Sequence, residues 1–196
     1  AKADFDQAIS MDPKNYDRLI EIYEALAAHG YREVGQEYLQ NVLDTAKQLD
    51  AYDSGRIYYY LGEYQKAYLA LDEARDKGGA DSYLYLGRAY AATGDYNYAS
   101  SVYNNYLSKQ GPNAEIYNEL GLCEMAKKEY QNALAAFQAG KQIEGNSLMQ
   151  TLCFNEIVAY EYLEDYQQAE ILMNAYLQNY PDDQTAIREQ QFLSTR

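Results

Sequence analysis

One pattern of large and small residues occurs twice at a spacing of 34 residues, and it constrains the fold more than any other feature of the chain. The first copy consists of Tyr83, Leu86, Gly87, Tyr90, Gly94, Asp95, Tyr96, Ala99 and Tyr103. The second copy consists of Tyr117, Leu120, Gly121, Glu129, Tyr130, Ala133 and Phe137. A fixed period in the thirties is typical of arrays of helix-turn-helix repeats. The chain is therefore expected to be all-α and to be built from repeated helix pairs.

The spacing within each copy indicates how the two helices of a pair pack. At about 100° per residue, Leu86 and Gly87 fall on the same face of a helix as the flanking aromatic residues. Gly87 leaves room for a second helix, on which Ala99 is the matching small residue. Gly94 and Asp95 separate the helices, because glycine tolerates left-handed dihedral angles and aspartate accepts hydrogen bonds from free amides. Neither helix can bury its apolar face alone, so the pairs are expected to stack.

These residues resemble the tetratricopeptide repeat (TPR) family. The family pattern is a large aromatic residue, Leu-Gly, a second aromatic residue, Ala-x-x-x-Phe and Pro over 34 residues, and residues 83–103 and 117–137 are similar to it. The resemblance implies an all-α, TPR-type superhelical solenoid of antiparallel helix pairs, right-handed as in the family. It also implies a non-enzymatic module that binds a peptide or helical segment of a partner in a concave groove.

The same register extends along the chain and predicts a single array. Its small positions on the second helices are Ala1, Gly35, Ala67, Ala99, Ala133 and Ala169, at steps of 34, 32, 32, 34 and 36 residues. The predicted units are an incomplete repeat at 1–15, helix pairs at 16–47, 48–79, 80–113, 114–149 and 150–181, and a capping helix at 182–196. The first pair fits least well, because Tyr23 stands where a small residue is expected. We expect its packing to be looser or its angle altered.

Both ends of the chain allow two interpretations. Residues 1–15 match the second helix of a repeat without its first helix, and no initiator Met is present. We therefore expect the native N-terminus to lie upstream, with a native capping helix as the alternative. At the other end, Asp182 or Asp183 is expected to start a helix that covers the last apolar surface. The alternative is the first helix of a truncated repeat, although this helix lacks Leu-Gly.

The charge balance excludes several classes of partner. The chain has 16 Lys and Arg against 30 Asp and Glu, for a net charge of −14. Nucleic acids and anionic membranes attract clustered basic side chains, so neither is expected as a partner, and RNA-binding pentatricopeptide-type arrays are excluded for the same reason. No apolar run approaches the ~20 residues of a membrane helix, so direct membrane insertion of this segment is not expected. The composition is compatible with a bacterial envelope protein but does not determine the compartment.

Residues for catalysis or cofactor binding are scarce. The single histidine, His29, stands beside Gly30 at a predicted helix end, where a capping or exposed role is expected. Cys123 and Cys153 are six residues out of register on neighbouring first helices, which is about 9 Å of rise. A disulfide needs Cα atoms within about 7 Å, so both are expected to be small buried thiols. We predict no catalytic residue, no metal site and no cofactor.

The face of each first helix opposite its packing residues remains available for a partner. By helical offset, the predicted groove residues are Tyr52, Arg56, Tyr59, Tyr85, Arg88, Asn118, Asn155 and Tyr162. Arg56 and Arg88 occupy the same position in consecutive repeats and allow two interpretations. Either Asp53, Asp81 and Glu119 neutralise them internally, or they anchor a carboxylate or backbone carbonyl of a ligand.

A protein or peptide partner in the groove is the function that we favour from the sequence. One alternative is a structural role, as a spacer or self-association segment of a larger, envelope-anchored protein. A second alternative is a regulatory module that senses a short peptide. An enzyme fits least, because no candidate site residues converge.

Overall fold

The structure, a computed structural model, describes residues 2–196, which form twelve α-helices and no strand. The helices are α1 (Lys2–Met11), α2 (Tyr16–Ala28), α3 (Arg32–Thr45), α4 (Ala51–Leu61), α5 (Tyr64–Asp76), α6 (Ser82–Ala92), α7 (Tyr96–Gln110), α8 (Ala114–Ala126), α9 (Tyr130–Lys141), α10 (Met149–Tyr162), α11 (Tyr166–Asn179) and α12 (Gln184–Leu193). The predicted all-α fold is confirmed. Ala1, the first small position of the register, lies outside the described residues.

The chain divides into two compact units, Ala1–Ala89 (unit 1) and Tyr90–Arg196 (unit 2). In unit 1, α2 packs against α3, α4 packs against α5, and α3 also contacts α4. In unit 2, α8 packs against both α7 and α9, and α10 packs against both α9 and α11. The last helix, α12, lies on α11 and closes the apolar core of unit 2, to which it contributes Ala186 and Leu193. The exact repeat boundaries within this array stay a prediction.

Close contact between paired helices depends on a glycine facing a large side chain. A Cβ atom added to Gly121 of α8 would lie 2.3 Å from Cε1 of Phe137 on α9, whose side chain is fully buried. A Cβ atom added to Gly55 of α4 would lie 2.5 Å from Cγ of Leu71 on α5. The Gly positions of the repeat pattern therefore mark the places where two helices approach most closely.

In the first helix pair, the glycine at a close contact lies on the second helix instead. Tyr23 of α2 is 4% exposed, and its ring covers Gly35 of α3, where an added Cβ atom would lie 2.9 Å from the Tyr23 Cδ2 atom. Leu39 follows one turn later and is fully buried. Tyr23 thus occupies a filled core position, and the large residue at the small position of α2 is matched by glycine on α3.

Aspartate side chains cap several helices where the sequence predicts helix starts. Asp95 accepts a hydrogen bond from the backbone N–H of Tyr98 at 3.1 Å. At the start of α12, the capping residue is Asp183, which accepts from the N–H groups of Thr185 (2.9 Å) and Ala186 (3.1 Å). Of the two aspartates considered from the sequence, Asp183 is therefore the one that caps the final helix.

Candidate partner-binding site

Six tyrosine side chains of unit 1 form one group, which we call the tyrosine cluster. It consists of Tyr23, Tyr52, Tyr59, Tyr60, Tyr64 and Tyr85. Neighbouring ring centroids are 5.1 to 6.2 Å apart, and the ring planes are inclined by 54° to 72°. Aromatic pairs prefer such tilted arrangements, because the positive edge of one ring meets the negative face of the other. Tyr52, Tyr59 and Tyr60 share a face of α4, because Tyr59 and Tyr60 follow Tyr52 by seven and eight residues, which is about two helical turns.

Arg56 lies beside the cluster and is held by two carboxylates of its own unit. The residue is 7% exposed, and Nη1 donates to Oδ1 of Asp17 at 2.5 Å while Nη2 donates to Asp53. The guanidinium also lies 4.4 Å from the ring centroid of Tyr52. Burial opposes its charge, but the hydrogen bonds to the carboxylates outweigh burial and raise the pKa of Arg56. Of the two interpretations of Arg56, the structure shows internal neutralisation, with Asp17 as a partner that the helical offset did not indicate.

A third carboxylate, that of Glu24 on α2, contacts the cluster. The Tyr60 hydroxyl donates a hydrogen bond to Oε1 of Glu24 at 2.6 Å, and its oxygen lies 3.4 Å from that of Tyr85. Burial and the hydrogen bond to Glu24 raise the pKa of Tyr60, so the phenol stays neutral and remains a donor. A cavity of about 370 Å³ opens beside this pair, and Tyr59, Tyr64 and Arg32 are among its lining residues.

The remaining predicted residues of unit 1 also lie at this surface. Tyr85 contacts the rings of Tyr52, Tyr59 and Tyr60, and the guanidinium of Arg88 lies 5.5 Å from the Tyr85 ring centroid. Burial raises the pKa of Tyr52 to about 12, against the opposing effect of Arg56. The structure therefore brings Tyr52, Arg56, Tyr59 and Tyr85 together within unit 1.

In unit 2, the predicted groove residues form two separate contacts. The Asn155 side chain donates from Nδ2 to Oδ1 of Asn118 at 2.9 Å, and Asn118 is 8% exposed. Tyr162 stacks on Tyr130 with centroids 5.0 Å apart and an interplanar angle of 28°, while 58% of Tyr162 remains exposed. Asn155 and Tyr162 thus offer an amide and an aromatic ring, whereas most of Asn118 is covered.

Two members of the tyrosine cluster, Tyr23 and Tyr64, were not among the predicted groove residues. Tyr23 does pack in the core, yet its ring also lies 5.1 Å from that of Tyr60. Tyr64, at the start of α5, lies 6.2 Å from Tyr59. Tyr64 begins a second helix and Tyr23 stands at a packing position of a first helix, so the helical offset that selected the groove residues could not find either of them.

The histidine and the two cysteines considered for catalysis or metal binding lie at a helix end or against neighbouring helices. His29 is the C-cap residue of α2, with Nδ1 lying 2.8 Å from the Ala25 carbonyl oxygen. Both cysteines are free; Cys123 is buried, and burial raises its pKa to about 12. Cys153 is only half-buried, so the expectation that both thiols are buried is wrong for this residue, which lines a cavity between α10 and α11.

The structure of residues 2–196 also bears on metal binding and on membrane spanning. Within that range, no group of three or more His, Cys, Asp or Glu side chains is arranged to hold a metal ion. The described helices also include none with the length and apolar character needed to cross a bilayer.

Comparison with known proteins identifies the repeats. Residues 52–99 and 86–146 match the family model described as "Tetratricopeptide repeat". Residues 52–146 therefore contain tetratricopeptide repeats, as the residue pattern predicted. Comparison of the sequence with curated proteins gives no match.

Solved structures share the fold across most of the chain. A TPR protein of Thermus thermophilus, TTC0263, superposes with a TM-score of 0.70 at 16% identity, over 92% of this chain and 100% of that one. YrrB, described as a TPR protein with an unusual peptide-binding site, gives 0.62 at 18% identity over 95% and 97% of the two chains. A TPR protein of Parabacteroides merdae gives 0.64 at 18% identity over 91% and 72%. At these identities the similarity shows the fold, a TPR-type helical solenoid.

Proposed function

We propose that this chain is a non-enzymatic interaction module that holds a peptide or helical segment of a partner protein on the inner faces of its first helices. TPR repeats are in general a protein-binding fold. The observation that supports a specific surface is the tyrosine cluster of unit 1, which joins aromatic rings from α2, α4, α5 and α6.

The exposure of four members of the cluster distinguishes them from core tyrosines. Tyr52, Tyr59, Tyr60 and Tyr85 are half-buried, whereas the packing residue Tyr83 is 6% exposed. Tyrosine is enriched among residues that dominate binding energy, because it offers a large contact area and a polar hydroxyl at low entropic cost. Mutual ring contacts hold these side chains in place before a partner arrives, which reduces the entropy lost on binding.

Arg56 supports this surface from below and is not proposed as a direct contact. Its ion pairs with Asp17 and Asp53 fix the guanidinium against the face of the Tyr52 ring. Replacement of Arg56 would leave two carboxylates without their cation and would alter the fold as well as binding. Variants of the exposed rings are therefore the sharper test.

In unit 2, we propose Asn155 and Tyr162 as contacts and Asn118 as the residue that orients Asn155. An asparagine amide held by one hydrogen bond still has donor and acceptor capacity for a peptide backbone. The exposed ring of Tyr162, stacked on Tyr130, offers apolar area beside it along α10.

Capture of partners from the native source tests the proposal. Wild-type chain, Tyr59→Ala and the control Tyr98→Ala would be immobilised, Tyr98 being an exposed tyrosine of a second helix. We expect Tyr59→Ala to weaken retention of bound partners by about 2 kcal/mol, as a hot-spot residue would, and Tyr98→Ala to leave it unchanged. Circular dichroism would verify that both variants fold. Equal yields of the same partners from all three chains would contradict the proposal and favour the structural role.

A further inference from the structure

The surface of unit 1 already binds one cation of its own. The Arg56 guanidinium lies over the ring of Tyr52 at 4.4 Å and is paired with carboxylates from α2 and α4, Asp17 and Asp53. A cation over an aromatic face is attracted by the ring, and the adjacent carboxylates strengthen the attraction. The combination of tyrosine and carboxylate is thus a guanidinium site in this protein.

The same combination recurs two helical turns further along α2 and α4. Glu24 follows Asp17 by seven residues, and Tyr59 follows Tyr52 by seven, close to the 7.2 residues of two full turns. The one basic residue of α4 is Arg56, which lies at the first site, so α4 supplies no cation to the second site. The ion pairs formed by the described side chains do not include Glu24.

A cavity at this second site can accept a long side chain. Its volume is about 370 Å³, and its walls include Tyr59, Tyr60, Tyr64 and Glu24. The Tyr60 hydroxyl donates to Glu24 at 2.6 Å, which orients the carboxylate at the edge of the cavity and leaves its second oxygen available to a donor. One cation of the chain, Arg32, also lines the cavity, where its Nη1 donates to the Tyr23 hydroxyl at 3.2 Å.

The charge of the chain favours the same class of ligand. The net charge is −14, and Asp17, whose side chain is 76% exposed, lies with Glu21 and Glu24 on the solvent-facing side of α2. A surface of this sign accelerates association with basic segments and slows association with acidic ones.

We infer that the partner segment presents an arginine or lysine side chain, and that the cavity between Tyr59, Tyr60 and Glu24 binds it. This inference rests on the proposed function and specifies the chemistry of the partner. The bound cation would lie over the exposed tyrosine rings and donate to Glu24, in the manner of Arg56 at the first site. Arg32 would repel the bound cation, so the affinity would be lower than at the same site without this arginine.

Selection from a library identifies the ligand chemistry without prior choice. Immobilised wild-type chain would be used to enrich a phage-displayed library of random dodecapeptides, with Tyr59→Ala chain as a parallel selection. Peptides enriched only by the wild-type chain depend on the tyrosine cluster. We expect arginine or lysine to be over-represented among them, and aspartate and glutamate to be depleted.

Titration of one such synthetic peptide with three variants then tests the site. We expect Glu24→Gln, which keeps an acceptor for Tyr60 but removes the charge, to weaken binding about five- to tenfold. We expect Arg32→Gln to tighten binding about two- to fivefold, because a like charge is removed. The control Glu144→Gln makes the same charge change at an exposed residue of unit 2 and should have no effect.

The outcomes separate the inference from the proposed function. Enriched, cluster-dependent peptides without a basic residue, or weaker binding on Arg32→Gln, would overturn the inference and leave the binding surface in place. If Glu144→Gln weakened binding as much as Glu24→Gln, the loss would come from the net charge of the chain and not from the cavity. That result would also overturn the inference. If the wild-type and Tyr59→Ala chains enrich the same peptides, or none, both the proposed function and the inference fail.

Discussion

The first helix pair of unit 1 and the pair around Gly121 in unit 2 place the glycine of a close contact on opposite helices. In the first pair of unit 1, the large residue is Tyr23 on the first helix and the small one is Gly35 on the second. In the fourth pair, which belongs to unit 2, the large residue is Phe137 on the second helix and the small one is Gly121 on the first. The glycine at a close contact between paired helices can therefore lie on either helix.

The two units also differ in the charges that they bury. Unit 1 buries a cation, Arg56, between two carboxylates. Unit 2 instead buries a carboxyl oxygen of Glu161, and the Glu161 side chain lies against a second carboxyl group, that of Glu189. Because an arginine does not titrate near neutral pH whereas a crowded carboxyl group does, the pH response of the protein is expected in unit 2.

Phe137→Ala should have the largest effect of the changes considered. The side chain is fully buried and covers Gly121, so its removal leaves a cavity and should lower the free energy of unfolding of unit 2 by about 3–5 kcal/mol. Urea unfolding followed by hydrogen-exchange mass spectrometry, which resolves peptides of the two units, would measure it. The control is Gln131→Ala, an exposed residue of the same helix. A loss of less than about 1 kcal/mol would show that the contact is not part of the core.

Gly121→Ala should lower the free energy of unfolding of unit 2 by about 1–3 kcal/mol, because its Cβ atom would lie 2.3 Å from the Phe137 ring. In a Phe137→Ala background this cost should vanish, since the added methyl group then enters the cavity. In unit 1, Tyr23→Ala should remove only part of the cost of Gly35→Ala. A Cβ atom on Gly35 would also lie 3.3 Å from the Tyr23 Cα atom, which Tyr23→Ala does not remove. Equal rescue in both units would contradict this account.

Glu161→Gln should make unit 2 more stable at pH 8 and change little at pH 4.5. Burial, together with the charge and hydrogen bond of Glu189, raises the pKa of Glu161 from 4.5 to about 7. A raised folded-state pKa gives stability that is fully present below pH 4.5 and is lost as the pH rises through 7. The group is partly exposed, so after screening we expect a gain of about 1–2 kcal/mol at pH 8.

Thermal melts of both chains between pH 4.5 and 8 would measure this difference. Glu170→Gln, an exposed residue of α11, controls for the general effect of reducing the negative charge. If the wild-type and Glu161→Gln chains keep a constant difference in melting temperature across this range, Glu161 does not titrate near neutral pH in the folded chain.

The sequence predicts the helix pairs and their contacts well, because the signals are local and periodic. The period of Gly121 and its equivalents locates the close contacts, and Asp183 starts the last helix as expected. The reversed contact at Tyr23 was not predicted, since a pattern applied to one helix at a time does not show that Gly35 compensates on the other. The size of both residues has to be considered together.

The candidate site was predicted only in outline. Helical offset placed Tyr52, Tyr59 and Tyr85 on one face, and the structure brings them together. Of the two partners of Arg56, Asp53 was predicted and Asp17 was not, because Asp17 is 39 residues away and long side chains reach different neighbours from the same helical position. The contact of Glu161 with Glu189 has no periodic signal at all, since α12 stands outside the repeat.

The smallest expected effect concerns the turn inside each helix pair, where the units again differ. In unit 1 the left-handed residue between α4 and α5 is Gly62, with φ of 79°. In unit 2 the same place is taken by Gly94 (φ 83°) between α6 and α7, but by Lys128 (φ 65°) and Glu164 (φ 60°) in the two pairs that follow. A residue with a Cβ atom in this region costs about 1–2 kcal/mol, against about 0.5–1 kcal/mol of extra chain entropy that glycine loses on folding. Lys128→Gly should therefore raise the free energy of unfolding of unit 2 by about 0.5–1 kcal/mol, and Gly62→Lys should lower that of unit 1 by a similar amount.

Urea unfolding resolved by hydrogen exchange would measure both. The control is the exposed Lys109→Gly in the last turn of α7, which should destabilise because glycine is a poor helix former. If Lys128→Gly destabilises as Lys109→Gly does, the lysine side chain contributes more to the turn than its backbone strain costs.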